Sequence, residues 1–174
     1  MKSILIIGAG GHGQVVAEIA EDCGYLKIDY LDDNSDLAIG KINEMDKFRS
    51  EYEEAFVGIG NNEYRGQLLE KLLRFGYKVP LLIHPSAYVS KTANMGMGTV
   101  VEPGAIINAH SVIGEGTIIG SGAVVDHNAV IGQCSHINSG AIVKAGVRIE
   151  SYRKLEAGEI GSGYESAIIN KNGE

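Results

Sequence analysis

The chain has 174 residues, a formal charge of −7, a pI near 5.2 and 44% hydrophobic residues, enough for one or two packed domains. The acidic balance speaks against nucleic acid or an anionic membrane as partner. Cys23 and Cys134 have no metal or redox spacing, no apolar run reaches the ~18 residues of a membrane span, and the apolar start at residues 4–7 is too short for a signal-peptide core. A cytoplasmic protein without metal or membrane insertion is expected.

In chain order, residues 2–7 read as a buried strand, followed by Gly8-Ala9-Gly10-Gly11-His12-Gly13. A helical pattern (Val15, Val16, Ile19, Ala20) then stops at Gly24, and a second strand at residues 27–31 ends in Asp32-Asp33. This is a βαβ opening with a glycine fingerprint: backbone N–H groups at a helix N-terminus can approach a phosphate, and an acid further on can take a ribose hydroxyl. An NAD-type dinucleotide or another nucleotide-bearing ligand both fit. Residues 36–54 suggest a short strand and a helix around residues 45–48. A further strand at 55–59, a turn at Gly60-Asn61-Asn62 and a helix over 63–75 carrying Leu68, Leu69, Leu72 and Leu73 complete a small α/β unit over residues 1–83. That unit is about half the usual Rossmann size, which favours a mononucleotide-sized or nucleotide-sugar ligand over a full dinucleotide. A short linker, His84 to Ser86, follows.

From Val89 every sixth residue is apolar: Met95, Val101, Ile107, Ile113, Ile119, Val125, Ile131, Ile137, Val143, Ile149 and Leu155. Two residues earlier stands a small residue, and three later glycine dominates. Residues 84–158 therefore read as a hexapeptide-repeat solenoid of about four 18-residue coils, each unit one short strand and one corner. Arg153 occupies a small-residue position, the period is expected to fail after Gly158, and residues 159–174 are read as a C-terminal cap. On an 18-residue coil His127 stacks between Ala109 and Ala145, whose methyl groups leave room for a ligand, and His136 between Ile118 and Lys154. Imidazole ordinarily titrates near pH 6.5, so a histidine can accept a proton at neutral pH.

Together, the Gly-Ala-Gly-Gly-His-Gly start, Gly-Ile-Gly-Asn-Asn-Glu-Tyr-Arg at 58–65, Ile-His-Pro-Ser-Ala at 83–87, Asp126-His127-Asn128 and Ser135-His136 resemble the bacterial hexapeptide-repeat sugar acetyltransferases, N-acetyltransferases of UDP-4-amino-sugars and O-acetyltransferases of sialic acid. The resemblance implies a small Rossmann-like α/β domain followed by a left-handed parallel β-helix, and a homotrimer with acetyl-CoA between neighbouring helices. It also implies His127 as general base, His136 lining the acetyl-CoA site, and the Ala145 backbone N–H facing the thioester oxygen. Gly10, Gly11 and His12 would lie along the phosphates, Asp32 and Asp33 near the nucleoside, and Asn61 and Arg65 in the sugar pocket. Asn128 stands where the family commonly has an acid; it can hold an imidazole tautomer but adds no negative charge. The expected activity is acetyl transfer from acetyl-CoA to the amino group of a nucleotide-linked sugar. O-acetylation of a sialic acid or related sugar, or a truncated binding homologue without catalysis, are the alternatives. A nicotinamide oxidoreductase would leave the whole repeat unexplained.

Overall fold

A computed structural model describes residues 2–161 and the backbone of residues 164 and 165. The N-terminal unit is a four-stranded parallel sheet built from β1 (Ser3–Ile7), β2 (Lys27–Leu31), β3 (Ala38–Gly40) and β4 (Glu54–Val57), in the order β3-β2-β1-β4. Two helices pack on it, α1 (Gly11–Asp22) and α2 (Asn62–Arg74). The central strand β1 is apolar on both faces, and Ile4, Leu5, Ile6 and Ile7 are fully buried, as a strand covered from both sides requires. The helix expected at residues 45–48 is absent. A one-turn 3-10 helix at Ile42–Glu44 takes its place, with further turns closed by Lys47 N–H to Glu44 O and Glu51 N–H to Phe48 O. Phe48 leans against Gly40, where a Cβ would come within 3.0 Å of its ring, so this short crossover is anchored by packing and needs no helix.

Two glycines of the fingerprint serve the fold. Gly8 has φ +104°, and a Cβ on Gly13 would stand 2.1 Å from the Gly8 carbonyl oxygen. A Cβ on Gly58 would stand 2.7 Å from the Gly13 Cα. The start of α1 thus meets the turns after β1 and β4 backbone to backbone.

The second unit is a triangular prism whose two-residue strands recur every six residues. The first face carries Leu82–Ile83, Val100–Val101, Ile118–Ile119, His136–Ile137 and Lys154–Leu155. The second carries Tyr88–Val89, Ile106–Ile107, Val124–Val125, Ile142–Val143 and Ile160–Gly161. On the third, Asn94–Met95, Val112–Ile113, Val130–Ile131 and Val147–Ile149 are joined by Tyr164–Glu165, which pairs antiparallel to Val147–Ile149. This is a left-handed parallel β-helix, an exception to the right-handed crossover rule. The stack exceeds the repeat as read from sequence by one strand at each end. Ile83 already lies in register six residues before Val89, hidden by the His84-Pro85 break, and Ile160–Gly161 pairs parallel with Ile142–Val143 beyond Gly158. The cap expected over residues 159–174 falls largely outside the described residues.

In the two-residue parallel strands the second residue lies on the axial side: Val101, Ile107, Ile119, Val125, Ile137 and Val143 have no exposed surface. Every sixth residue from Gly98 to Gly158 has φ between +51° and +71°, including His110, Asn128, Cys134 and Tyr152 where glycine is missing. Small corner residues also tie coil to coil. Thr99, Ser111, Thr117 and Ser135 are fully buried and donate hydroxyl bonds to the carbonyls of Gly114, Asp126, Gly132 and Glu150, each 15 residues on.

The three faces meet different surroundings. Leu82, Val100 and Ile118, which point outward from the first face, are buried in the core of the N-terminal unit. At the junction His84 accepts the Ser86 N–H at Nδ1 (3.0 Å), which leaves Nε2–H to donate to Asp22 Oδ2 (3.0 Å) at the end of α1. The second face presents a ladder of Tyr88, Ile106, Val124, Ile142 and Ile160, and Tyr88 and Ile160 are more than half exposed. An Ile119→Ala substitution on the axis should lower stability by about 2–5 kcal/mol. Ile106→Ala on the ladder should cost the single chain less than about 1 kcal/mol, because its side chain already meets solvent. Urea unfolding of the two variants checks the contrast.

Candidate active site

The glycine loop between β1 and α1 leaves the helix N-terminus bare. Gly10 is the N-cap and supplies no side-chain bond, and a Cβ added to Gly10 or Gly11 would meet nothing within 4 Å, with no positive φ at either. The fold does not demand glycine there. Space stands open beside both, and the helix end favours negative charge. Asp32 is tied to this loop: its Oδ2 accepts the Ala9 N–H (2.9 Å), and Oδ1 accepts the N–H groups of Asn34 (2.8 Å) and Ser35 (3.1 Å). These bonds, Ala9 foremost, hold its carboxyl below the usual carboxylate range. Asp33 is exposed and accepts the Ile42 N–H (3.1 Å).

Cover on the first face ends after Ile118, and a pocket of about 650 Å³ opens there. Gly60, Asn61, Asn62 and Glu63 at the start of α2 form one wall, and His136, Tyr152 and Lys154 on the coils form the other. Asn61 caps α2 through Oδ1, which accepts the Tyr64 N–H (2.9 Å). Asn62 donates from Nδ2 to the Tyr152 carbonyl (2.9 Å), and Gln133 Nε2 donates to the Tyr152 hydroxyl (3.2 Å). Tyr152 is held at φ +62°, a strained conformation for a bulky side chain. Asn62, Glu63, Tyr152 and Lys154 were not among the site residues expected from sequence. The signal for Tyr152 was present, since it occupies the six-residue series of corner glycines.

His12 and His136 approach each other beside this pocket, with ring centroids 6.4 Å apart. His12 Nε2 and His136 Nδ1 are buried and have no partner among the described residues. Burial, then the neighbouring His136 and Arg65, pushes the His12 pKa down to about 4; burial, then Arg65 and Lys154, pushes His136 down to about 4. Both imidazoles are therefore neutral at pH 7. The 3.7 Å approach of His12 Nδ1 to Glu102 Oε1 is accordingly no ion pair, and the Glu102 carboxylate is held instead by the Ser121 N–H (3.0 Å) and hydroxyl (2.9 Å) through Oε2.

Arg65 does not sit where a sugar-contacting residue would. It is 1% exposed, and its guanidinium donates to the carbonyls of Ile59, Gly60, Gly116, Cys134 and Ser135 and to Asn62 Oδ1. Five N–H donors facing six protein acceptors leave none for a ligand. The expectation of direct substrate contact is corrected accordingly.

His127 and Asn128 lie elsewhere, exposed at the corner between the second and third faces and opposite the first. Asn128, at φ +58°, brings its amide Nδ2 to 2.9 Å from His127 Nδ1. Asp126 Oδ1 accepts the His127 backbone N–H (2.7 Å) and the Asn108 amide (3.2 Å), and its carboxyl is held below the usual range, the backbone bond foremost. One coil on, Gly146 N–H donates to the His127 carbonyl (3.0 Å), which sets Ala145 beside His127; the exposed Ala145 N–H meets no acceptor among the described residues. Within one chain the His127 corner and the His12–His136 pocket are thus not brought together.

The family model of the PglD N-terminal domain matches residues 3–72. The acetyltransferase domain of PglB from Neisseria gonorrhoeae FA1090, solved with acetyl coenzyme A, is 33% identical over 93% of this chain and 91% of that one, with a TM-score of 0.77. PerB from Caulobacter crescentus, solved with CoA and GDP-perosamine, is 28% identical over 94% of this chain and 90% of that one, with a TM-score of 0.76. A Bacillus subtilis (strain 168) protein, UDP-N-acetylbacillosamine N-acetyltransferase, is 33% identical over 111 residues, 58% of this chain, and the match spans about half (51%) of that relative's length. With the βαβ glycine loop, the prism and the match to nearly the whole PglB domain in agreement, this chain belongs to the bacterial hexapeptide-repeat sugar acetyltransferases.

Proposed function

We propose that the chain transfers the acetyl group of acetyl-CoA to the amino group of a nucleotide-linked amino sugar, with residues 1–83 holding the nucleotide sugar and the coils holding acetyl-CoA. We place this work in the cytoplasm, in keeping with two free cysteines, and in a homotrimer packed through the second face. Among the described residues no helix is long and apolar enough to cross a membrane. Amine transfer is favoured over hydroxyl transfer because PerB and the B. subtilis relative are both named N-acetyltransferases.

The observation that carries the reading is the exposed His127 imidazole, held at Nδ1 by the Asn128 amide beside the free Ala145 N–H. The amine nitrogen attacks the thioester carbonyl as its proton passes to His127 Nε2. The C–N bond forms, the C–S bond breaks, and the imidazolium returns the proton to the departing thiolate. Nε2 must carry a lone pair, so Nδ1 must carry the proton. Asn128 then presents Oδ1 to accept from Nδ1–H; with Nδ2 donating to Nδ1 the proton lies on Nε2, and a half-turn of the amide separates the two arrangements. The Ala145 N–H supports the oxyanion, a fixed donor aimed at developing charge. Gly10 and Gly11 offer N–H groups to the phosphates, and Asp32 holds their loop in shape.

Three outcomes check this reading. Thiol release from acetyl-CoA, with a panel of UDP-, GDP- and CMP-linked amino sugars, should occur with one member and fall about 10²–10⁴-fold in His127→Ala. Asn128→Asp, which also tolerates the left-handed corner, should raise kcat/KM by up to about ten-fold, since a carboxylate can only accept from Nδ1–H and stabilises the imidazolium. An absence of turnover with every sugar would sink the catalytic reading.

Sedimentation should give three times the chain mass for the native protein and the single-chain mass for Ile142→Asp, with circular dichroism unchanged. A native protein that sediments as a single chain removes the assembly.

Acid should destabilise the fold through His12 and His136. Their folded pKa values lie near 4, below the ordinary 6.5, so between those values the unfolded chain binds more protons. Stability is full above about pH 6.5, falls toward pH 4 and levels off below it as far as these two groups are concerned. Thermal unfolding of a His12→Gln/His136→Gln double variant should lose most of that pH dependence.

A further inference from the structure

We infer that Arg65 is a positioning residue that sets the register between the two walls of the pocket, touching neither ligand itself. This deepens the acetyltransferase reading and rests on it. The argument is geometric. On one side the guanidinium donates from Nη1 to the carbonyls of Ile59 (3.0 Å) and Gly60 (3.1 Å), and from Nη2 to Asn62 Oδ1 (2.7 Å). These residues make the turn before α2, and Gly60 and Asn62 line the pocket. On the other side Nε donates to the Gly116 carbonyl (2.6 Å), and Nη2 to those of Cys134 (2.8 Å) and Ser135 (3.1 Å). Ser135 immediately precedes His136, whose side chain forms the facing wall. One planar cation therefore spans both units and bonds the main chain directly next to each wall.

The local packing is built to admit it. Glycines at 98 and 116 clear the first-face corner for α2: a Cβ on either would come within 3.3 Å of Leu69. The same corner carries Cys134 and Tyr152 further along, where a Cβ on Gly66 would touch both. Arg65 is one residue from this contact and is thereby directed inward among the corner carbonyls. Its charge also acts on both imidazoles, as one of the causes that lower the pKa values of His12 and His136. A lysine has the charge but only three donors on a flexible stem, so it cannot reproduce six contacts in a plane.

The test uses the full chain with Arg65→Ala and Arg65→Lys, each first shown to be folded by circular dichroism. A displaced wall misaligns the reactants, and a shift on the order of 1 Å is enough to cost about 10²-fold. With the accepted amino sugar, kcat should fall about 10²-fold in both variants while KM for the sugar changes less than about three-fold; added guanidinium ion should restore part of kcat in the alanine variant only. Imidazole NMR gives an arm independent of turnover: His136, which stays uncharged to about pH 4 in the native chain, should titrate at higher pH in Arg65→Ala. A folded alanine variant with native kcat and native His136 titration overturns the proposal. A rise in sugar KM at unchanged kcat also overturns it and makes Arg65 a substrate contact. If the native chain turns over no sugar, the acetyltransferase reading has failed; the His136 titration in Arg65→Lys, which keeps the charge, then decides whether Arg65 governs the wall, and a native profile there overturns the proposal.

Discussion

A six-residue period repeats one kind of corner from Gly98 to Gly158, and most of the second unit follows from that constraint. With two residues in each strand, the chain must turn by the same amount every six residues, and over this span the residue three past each axial side chain takes φ near +60°. Glycine occupies most of these positions, and the steric rule predicts as much. The four exceptions in this series, His110, Asn128, Cys134 and Tyr152, accept a conformation that side chains avoid because the parallel ladders on both sides leave the backbone no alternative. Axial burial stabilises the stack. Hydroxyls at Thr99, Ser111, Thr117 and Ser135 donate to corner carbonyls of the next coil and tie the coils together inside it.

A prism with three equal faces has no intrinsic site; the site arises where the faces become unequal. The N-terminal unit buries the first face up to Ile118 and stops, so the outward position changes from aliphatic to His136 and Lys154. The same edge brings the bare α1 N-terminus and the capped start of α2 to the coils. The cost is a set of polar groups taken from water: an arginine 1% exposed and two neutral imidazoles, each with one nitrogen that has no partner among the described residues. Arg65 is compensated by six acceptors, whereas His12 Nε2 and His136 Nδ1 are not. Uncompensated buried polar atoms beside an open pocket mark the region as built for contact with something else.

The repeat, the βαβ opening and both helices were legible in the residues because they rest on period and on glycine placement. Residues 45–48 were misread because two or three apolar residues suggest a helix turn equally whether the chain continues or closes in a 3-10 turn against Gly40. Ile83 escaped because proline two residues on looks like a linker, although the register of six had already begun. In the site, the glycine loop before α1 was legible as a loop, whereas the absence of any conformational need for glycine at Gly10 and Gly11 shows only in the fold. The burial of Arg65 was not. Its side chain follows an amphipathic helix pattern, and only the tertiary fold shows that the face it joins is lined by carbonyls. Tyr152 was legible as a position and not as a wall, because what lies opposite a corner depends on where α2 ends.

The placement of His127 joins these strands of argument. It stands at the corner opposite the face where His12, His136 and Arg65 gather, so a single chain presents an exposed imidazole and a pocket of about 650 Å³ that look in different directions. His127 also borders the apolar ladder of Tyr88, Ile106, Val124, Ile142 and Ile160, a face that the described residues leave partly exposed. If that ladder is buried against a second copy, as proposed, the His127 corner is carried toward the neighbour's first face. Assembly and chemistry then become one requirement: the apolar ladder supplies the driving force, and the edge of the buried first face supplies the pocket. The polar groups that each chain leaves unpaired then lie where a substrate shared between copies would reach them.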